Sequence, residues 1–488
     1  MARLLLVTGK LAELQVRECA RILGADVLTL PVTVAQFITP QLAISEIKGL
    51  KRRYERIIFP GLTGFDVYEV EKVIRIPCFK GPEHPSDLPE VIRRGVPLSK
   101  TKSADSLIAR NGARDYAKMV AEAERRPATF SIGDLKIGSG FPPHIIAEIV
   151  DAPLLSDVEI IERAQYYLKS GADIIDIGAI ATEENPRRLA GLVRLLKKKL
   201  GVPVSIDSLN PKEINAAIKA GADLVLSLCA NNMNKIKVSD DVAYVVIAEG
   251  PEKKLEDNLK CAQELGFVNL IADPVLSPPF RTAESISKYY TFRKTSTQPM
   301  MMGASNIVEL MDVDSPGLNG LLAAIAVELD ISLILMTENS QKTRNAVREM
   351  KRAIEMTFLA KHRGSFPKDL GLHLLLAKSK SRGLDFGAGE AKVIPVPETN
   401  PQIKLDPNGH FNIFVDFRND RIVTIHFKEG YDYLFSGKSA EAISKEIIKM
   451  GLISDMNHAA YLGRELQKAE IYLKLGRGYI QDEVFSGL

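Results

Sequence analysis

An α/β fold organised around a central parallel barrel is what this 488-residue sequence predicts, with a small α/β domain before the barrel and an α+β domain after it. Three observations carry the prediction. Residues 129–365 hold eight apolar runs, most followed by a helical pattern, at the spacing of successive βα units. Residues 1–128 alternate strand-like and helical stretches on a smaller scale, and residues 390–488 place strand runs ahead of helices. A chain of this length also exceeds what one hydrophobic core organises, so two or three domains are expected.

In the first domain, RLLLVTG, ADVLTLPV, RIIFPG and IRIPCFKG read as strands, and LAELQVRECARIL and PQLAISEIKGLKRRY read as helices. That alternation predicts a Rossmann-like parallel α/β domain over 1–128, closed by the charged helical connector ARDYAKMVAEAERRP. From 129 to 365 the strand runs are DLKIGSG, ADIIDIGA, VPVSIDS, ADLVLSL, VAYVVIA, NLIADP, PMMMGAS and ISLILM. Roughly 230 residues in eight βα units is the size of a (β/α)8 TIM barrel, whose interior such runs fill in layers. An open doubly wound sheet is the competing arrangement. The Gly- and Pro-rich GLDFGAGEAKVIPVPETNPQIKLDPNGH then reads as linker and turns. HFNIFVDFRNDRIVTIHFKEG predicts two strands joined at Arg418-Asn419-Asp420. SAEAISKEIIKMGL and HAAYLGRELQKAEIYLKLGRG predict two amphipathic helices stopped at or near glycine, which completes a small α+β domain over 390–488.

Composition excludes several classes of partner. The 64 Lys and Arg nearly balance the 61 Asp and Glu, so no electrostatic case exists for nucleic acid or an anionic membrane as the main partner. Cys19, Cys78, Cys229 and Cys261 lie far apart with no histidine at ligand spacing, which predicts reduced thiols and no protein-held metal. The apolar run in MARLLLVTGK is too short for a signal peptide, and no apolar stretch of membrane-spanning length follows, so a cytoplasmic protein is expected.

A βα barrel carries its chemistry at the C-terminal ends of its strands. The polar residues there are Asp176 within ADIIDIGA, Asp207 ending VPVSID, Ser227 in ADLVLSL, Asp273 ending NLIAD, and Ser305-Asn306 after PMMMGA. A strand-end aspartate can simply cap the following helix. Two of them, Asp207 and Asp273, both directly after apolar strands, point instead to a ligand. A carboxylate accepts two parallel hydrogen bonds from an amidine-like edge, such as the 2-amino and ring N–H of a pterin.

SGADIIDIGAIATEENP, PVSIDSLNPKEINAAIKAGADLVLSL, IADPVLSPPF and PMMMGASN, in this order, resemble the pterin-binding barrel of dihydropteroate synthases and folate-dependent methyltransferases. The resemblance implies that Asp207 and Asp273 grip the pterin ring, and Asp176 is a further candidate for substrate binding. It also implies that Thr182 lies near the diphosphate or the second substrate. FPGLTGFDVYEVEKV, CFKGPEHPSDLP and HAAYLGRELQKAEIYLKLGRGYIQDE resemble segments of archaeal proteins related to dihydropteroate synthase.

The departures bear on the reaction. Where synthases carry an Asn-containing N-V-T-P-D-S-F-S-D segment, this chain has IGSGFPPHIIAEIVDAPLLSD. Leu226 holds the family's Asn position, leaving Ser227 or Asn231 as substitutes. Ser305-Asn306-Ile307 replaces Ser-Arg-Lys, and LILMTENS lacks the family's Arg and His. Diphosphate departure needs positive charge. The available cations are Arg187, Arg188, Arg281, Lys342 and Arg344, of which Arg187 and Lys342 are the candidates for the diphosphate. The resemblance thus implies a dihydropteroate synthase-like transferase. It would join 6-hydroxymethyl-7,8-dihydropterin diphosphate to p-aminobenzoate or its ribofuranosyl phosphate derivative, with Mg2+ accompanying the diphosphate and the barrel pairing as a homodimer. Asn306, with Asn319 downstream, keeps a pterin-dependent methyltransferase open, and the missing cations keep a non-catalytic pterin-binding protein open.

Overall fold

The computed structural model describes residues 3–93, 95, 97–104, 112–248, 254–378, 394, 396 and 406–483. Most of the expected linker between the barrel and the last domain lies outside the described residues. The chain divides into two compact units. The first comprises 1–311, 315–337 and 346–374, and the second 312–314, 338–345 and 375–488.

The first unit opens with a four-stranded parallel sheet of β1 (Leu4–Thr8), β2 (Asp26–Thr29), β3 (Arg56–Phe59) and β4 (Cys78–Lys80), ordered β2-β1-β3-β4. These are the four runs expected from sequence. Leu5, Val7, Ile57 and Phe59 face one buried cluster while Leu6 and Ile58 face another, as strands covered by helices on both faces require. Arg363, on the helix Ala346–Arg363 that follows the last barrel strand, ties this domain to the barrel through Asp87 at 2.9 Å and Glu90 at 2.7 Å.

An antiparallel hairpin comes next, β5 (Phe130–Ile132) and β6 (Leu135–Ile137), turning at Gly133-Asp134 with Gly133 at φ +56°. This corrects the sequence reading, which takes DLKIGSG as the first barrel strand. Two three-residue arms carry the apolar content of one barrel strand, and composition does not reveal that the chain reverses between them. The true first strand is HIIAEI, inside the segment read as a loop.

The barrel strands are β7 (His144–Ile149), β8 (Ile174–Gly178), β9 (Val204–Asp207), β10 (Leu224–Leu228), β11 (Ala243–Ile247), β12 (Asn269–Asp273), β13 (Met301–Gly303) and β14 (Leu333–Thr337). All pair in parallel, in the order β12-β11-β10-β9-β8-β7-β14-β13, and a parallel bridge between Ala272 and Met300 returns β13 to β12. The circle is closed, so the chain folds as a TIM barrel rather than an open sheet. Inside it, Ile146, Ile174, Leu224, Leu226, Val245, Ile271, Met301 and Leu333 pack on Ile132 and Ile137 of the hairpin, which plugs the N-terminal end.

The helices that follow the strands are set by local signals. Ser156 and Glu159 form a reciprocal capping box at the start of the helix Asp157–Ser170, directly after the β7 loop. Ser156→Ala is expected to cost about 1 kcal/mol, measured as a lower denaturant midpoint. Among the described residues no helix is long and apolar enough to cross a membrane.

In the second unit, β15 (His410–Asp416), β16 (Arg421–Phe427) and β17 (Tyr431–Gly437) form an antiparallel sheet that packs on helices Ala440–Lys449 and Met456–Leu475. The third strand is absent from the sequence reading. YDYLFSG is an edge strand exposed along most of its length, so it lacks the in-out alternation that marks a half-buried strand. Within this unit Arg344 donates to the Phe417 carbonyl at 2.8 Å and lies over its ring. His458 bonds Asp406 at 3.0 Å in the first turn of its helix, a packing role.

Candidate ligand site at the barrel mouth

The barrel interior changes character along its axis. Below, it is filled by aliphatic side chains; at the C-terminal ends of the strands it turns acidic. In-register pairing places Glu148 of β7 beside Asp176 of β8, and Asp176 beside Ser205 of β9. Gly178 then pairs with Asp207, and Asp207 with Leu226 of β10. Side chains alternate along a strand, so residues two apart share a face. Asp176 therefore points inward with Ile174, and Glu148 with Ile146, whereas Asp273 follows Ile271.

The three aspartates are each held by neighbouring donors. Ser205 Oγ donates to Asp176 Oδ1 at 2.5 Å, and Ser227 Oγ to Asp207 Oδ1 at 3.2 Å. Tyr289 Oη and the Val275 N–H donate to Asp273 Oδ1 at 2.6 and 2.8 Å. The second oxygens of Asp207 and Asp273 take no hydrogen bond among the described residues. Each aspartate thus offers one oxygen to a ligand, where the sequence reading expected two from each.

Burial dominates the electrostatics. It lifts Glu148 to about 7, with the charges of Asp207, Glu309 and Asp151 adding to the effect. It holds Asp176, which is fully buried, well above the carboxylate range, helped by the charges of Asp207 and Glu148 and opposed by the Ser205 hydrogen bond. Asp207 is raised by burial against the Ser227 hydrogen bond. Asp273 is pushed up to about 6 by burial, against the donors Tyr289 and Val275. Among the described residues no Lys or Arg forms an ion pair with any of these four.

The other sequence-derived residues divide into supports and outliers. Ser227 has φ +69°, a left-handed backbone that is costly outside glycine, and this conformation accompanies its hydrogen bond to Asp207. Ser305 Oγ accepts the Thr337 N–H at 2.6 Å, and Asn306 Nδ2 donates to the Leu276 carbonyl at 2.8 Å, so both fasten loops around the mouth. Asn231 is exposed; its neighbour Asn232 is the buried one, bonded to the Ser227 and Leu209 carbonyls. Thr182 and Arg187 are exposed in the segment after β8, and Arg188 pairs with Asp157. Lys342 lies in the second unit, paired with Asp312 at 2.9 Å. Asn319 is buried between two helices and donates to Glu349 at 2.9 Å.

Glu148 is the residue that sequence reasoning missed. Its strand was misplaced, and a glutamate in the penultimate position of HIIAEI gives no signal until the register sets it beside Asp176. One oxygen from each of Glu148, Asp176 and Asp207 lies within 4.8 Å of the others, an arrangement able to hold a metal ion. A cavity of about 490 Å³ opens at the opposite end of the barrel, lined by Arg126, Phe141, Lys361 and His362. That face of a βα barrel serves stability, so the ligand site is built on the carboxylates.

Comparison with known proteins bears on the barrel and the last domain as families. Residues 151–265 match the family described as Pterin binding enzyme, and residues 405–482 match the family PterinBD-DUF4346. The uncharacterized protein MJ0107 of Methanocaldococcus jannaschii is 35% identical, with 98% of each chain aligned. The dihydropteroate synthase of Clostridium beijerinckii is 24% identical over 30% of this chain and 64% of its own length. Among solved structures, the dihydropteroate synthase of Stenotrophomonas maltophilia aligns with 44% of this chain and 91% of its own, at 18% identity and a TM-score of 0.36.

Proposed function

This chain belongs to the family of the Methanocaldococcus jannaschii protein MJ0107, a pterin-binding barrel family related to dihydropteroate synthase, and from that premise we propose that its barrel mouth binds a reduced pterin for transfer of the pterin methylene to an arylamine. The observation that carries the reading is the pair Asp207 and Asp273. Both stand at strand ends in an apolar barrel, and each keeps one oxygen without a donor among the described residues. Two such oxygens suit the 2-amino and ring N–H donors of a pterin. A ring lacking those donors would leave buried carboxylates unpaired and be rejected.

In this reading the substrate is 6-hydroxymethyl-7,8-dihydropterin diphosphate, with Mg2+ arriving as part of it. The methylene C–O bond breaks, diphosphate leaves with the bonding electrons, and the arylamine nitrogen bonds the methylene and sheds a proton. Asp207 and Asp273 hold the ring in place, Ser227 orients Asp207, and Ser305 and Asn306 fix the surrounding loops. Thr182 and Arg187 are the proposed contacts of the diphosphate. The second substrate is p-aminobenzoate or its ribofuranosyl phosphate derivative.

The acidic, cation-poor mouth favours a second reading, in which the pterin is bound or methylated without any diphosphate departing. Purified protein, given the dihydropterin diphosphate, Mg2+ and each arylamine in turn, is expected to release diphosphate only when amine is present. Asp207→Ala is expected to abolish that release. No release with either amine, together with calorimetric binding of the bare pterin, would replace the synthase reading with the second.

A further inference from the structure

Two oxygens at the acidic trio, one of them its own, lack partners among the described residues. Asp176 is fully buried, and while its Oδ1 accepts from Ser205, its Oδ2 takes no hydrogen bond among the described residues. Thr337, 7% exposed, is the in-register partner of Glu148 on β14. It shares a strand face with Leu333, which packs inside the barrel, so its side chain turns inward at the level of Glu148. Its Oγ1 is likewise without a partner among the described residues. Buried polar atoms are nearly always satisfied, so a carboxylate oxygen of the trio and a hydroxyl orphaned at the same level point to a bound group that takes oxygen ligands.

We infer that Glu148, Asp176 and Asp207, with Thr337 Oγ1 beside them, form a resident site for one divalent cation of the size of Mg2+ or Mn2+. Oxygens bound octahedrally at about 2.0–2.1 Å stand about 2.9 Å apart when adjacent and about 4.1 Å apart when opposite. The three carboxylate oxygens, all within 4.8 Å of one another, need only small side-chain shifts to reach those spacings. A donor set made of carboxylate and hydroxyl oxygens selects a hard ion over a thiolate- or imidazole-seeking one. Room is provided by Gly178, since a Cβ there would stand 2.6 Å from Glu148 Oε1. The ion would also supply the positive charge that no described Lys or Arg brings to these carboxylates. Asp207 Oδ1 keeps a second lone pair beside its Ser227 hydrogen bond, so it can reach the ion while Oδ2 remains for a ring donor; the inference does not rest on the pterin reading.

The test uses the full chain stripped with EDTA and titrated calorimetrically with Mn2+ in the absence of any pterin. One saturable site per chain is expected. Glu148→Gln and Asp176→Asn are each expected to weaken it at least about tenfold, since loss of a group that only orients a metal ligand already costs about that much. Asp420→Asn, an exposed acid paired with Lys438, is expected to leave it unchanged. Both test substitutions are near-isosteric, and circular dichroism melts check that the variants fold. No saturable uptake by the wild-type chain overturns the inference, and so does uptake that survives both substitutions in folded protein. Because pterin is absent, neither result bears on the ring-binding reading.

Discussion

Asp273→Asn is expected to lower the affinity for a reduced pterin by about two orders of magnitude or more, measured calorimetrically at pH 8. Asp273 Oδ1 is committed to Tyr289 and Val275, both donors, so an asparagine would set its carbonyl there and turn its NH2 to where Oδ2 stands. A donor would then face the ring's donors. Hydrogen bonds to a charged group contribute about 1.5–3 kcal/mol each, and both the lost bond and the new donor–donor conflict act in the same direction. Fold stability is not at risk, because burial already favours the neutral side chain. The same geometry predicts a pH dependence. Asp273 is lifted to about 6, so its accepting form is complete well above that value and is lost below it. Affinity should fall by up to about tenfold per pH unit as pH drops below 6. An Asp273→Asn affinity within threefold of wild type at pH 8 would remove Asp273 from the site.

Asp176→Asn should do the opposite to stability and raise it. In metal-free protein, a fully buried carboxyl with one hydrogen bond and two acidic neighbours resists ionisation. The linkage has a definite sign. The folded-state pKa lies above the unfolded value of about 4, so the stability held by the protonated form is complete below pH 4 and erodes as pH rises toward the folded pKa. Asparagine has no such penalty. Replacing buried ionic groups by neutral ones of similar volume commonly gains about 1–4 kcal/mol. In a unit of more than about 300 residues each kcal/mol raises the melting temperature by about 1–2 °C. The expected result in EDTA is a melting temperature several degrees higher than wild type at pH 8, with the difference shrinking toward pH 4. Equal melting temperatures at both pH values would show that Asp176 carries no electrostatic strain. A gain in stability at the cost of ion uptake is the usual exchange at a functional site.

Much of this molecule was legible from residue order alone. Six of the eight barrel strands lie within the apolar runs that named them and β14 runs one residue past its own, because a strand buried on both faces must be apolar nearly end to end. Asp207 and Asp273 stood out for the same reason, as carboxylates closing such runs. Ser305 and Asn306 were legible as polar residues after a strand, but their hydrogen bonds to Thr337 and Leu276, which fasten loops together across about thirty residues of sequence, were not.

The remainder required the chain to be closed on itself. DLKIGSG and HIIAEI compete for one strand position, and only pairing shows the first reversing into a plug and the second entering the barrel. Residue order determined that strands and helices alternate and that acids end the strands, because periodicity and burial are properties of a local segment. Tertiary structure alone decided which acids meet. Glu148, Asp176 and Asp207 are separated by about thirty residues from one to the next, and their approach depends on the register of three parallel strands. A shift of one residue would turn any of them out of the barrel, and no local preference sets that register.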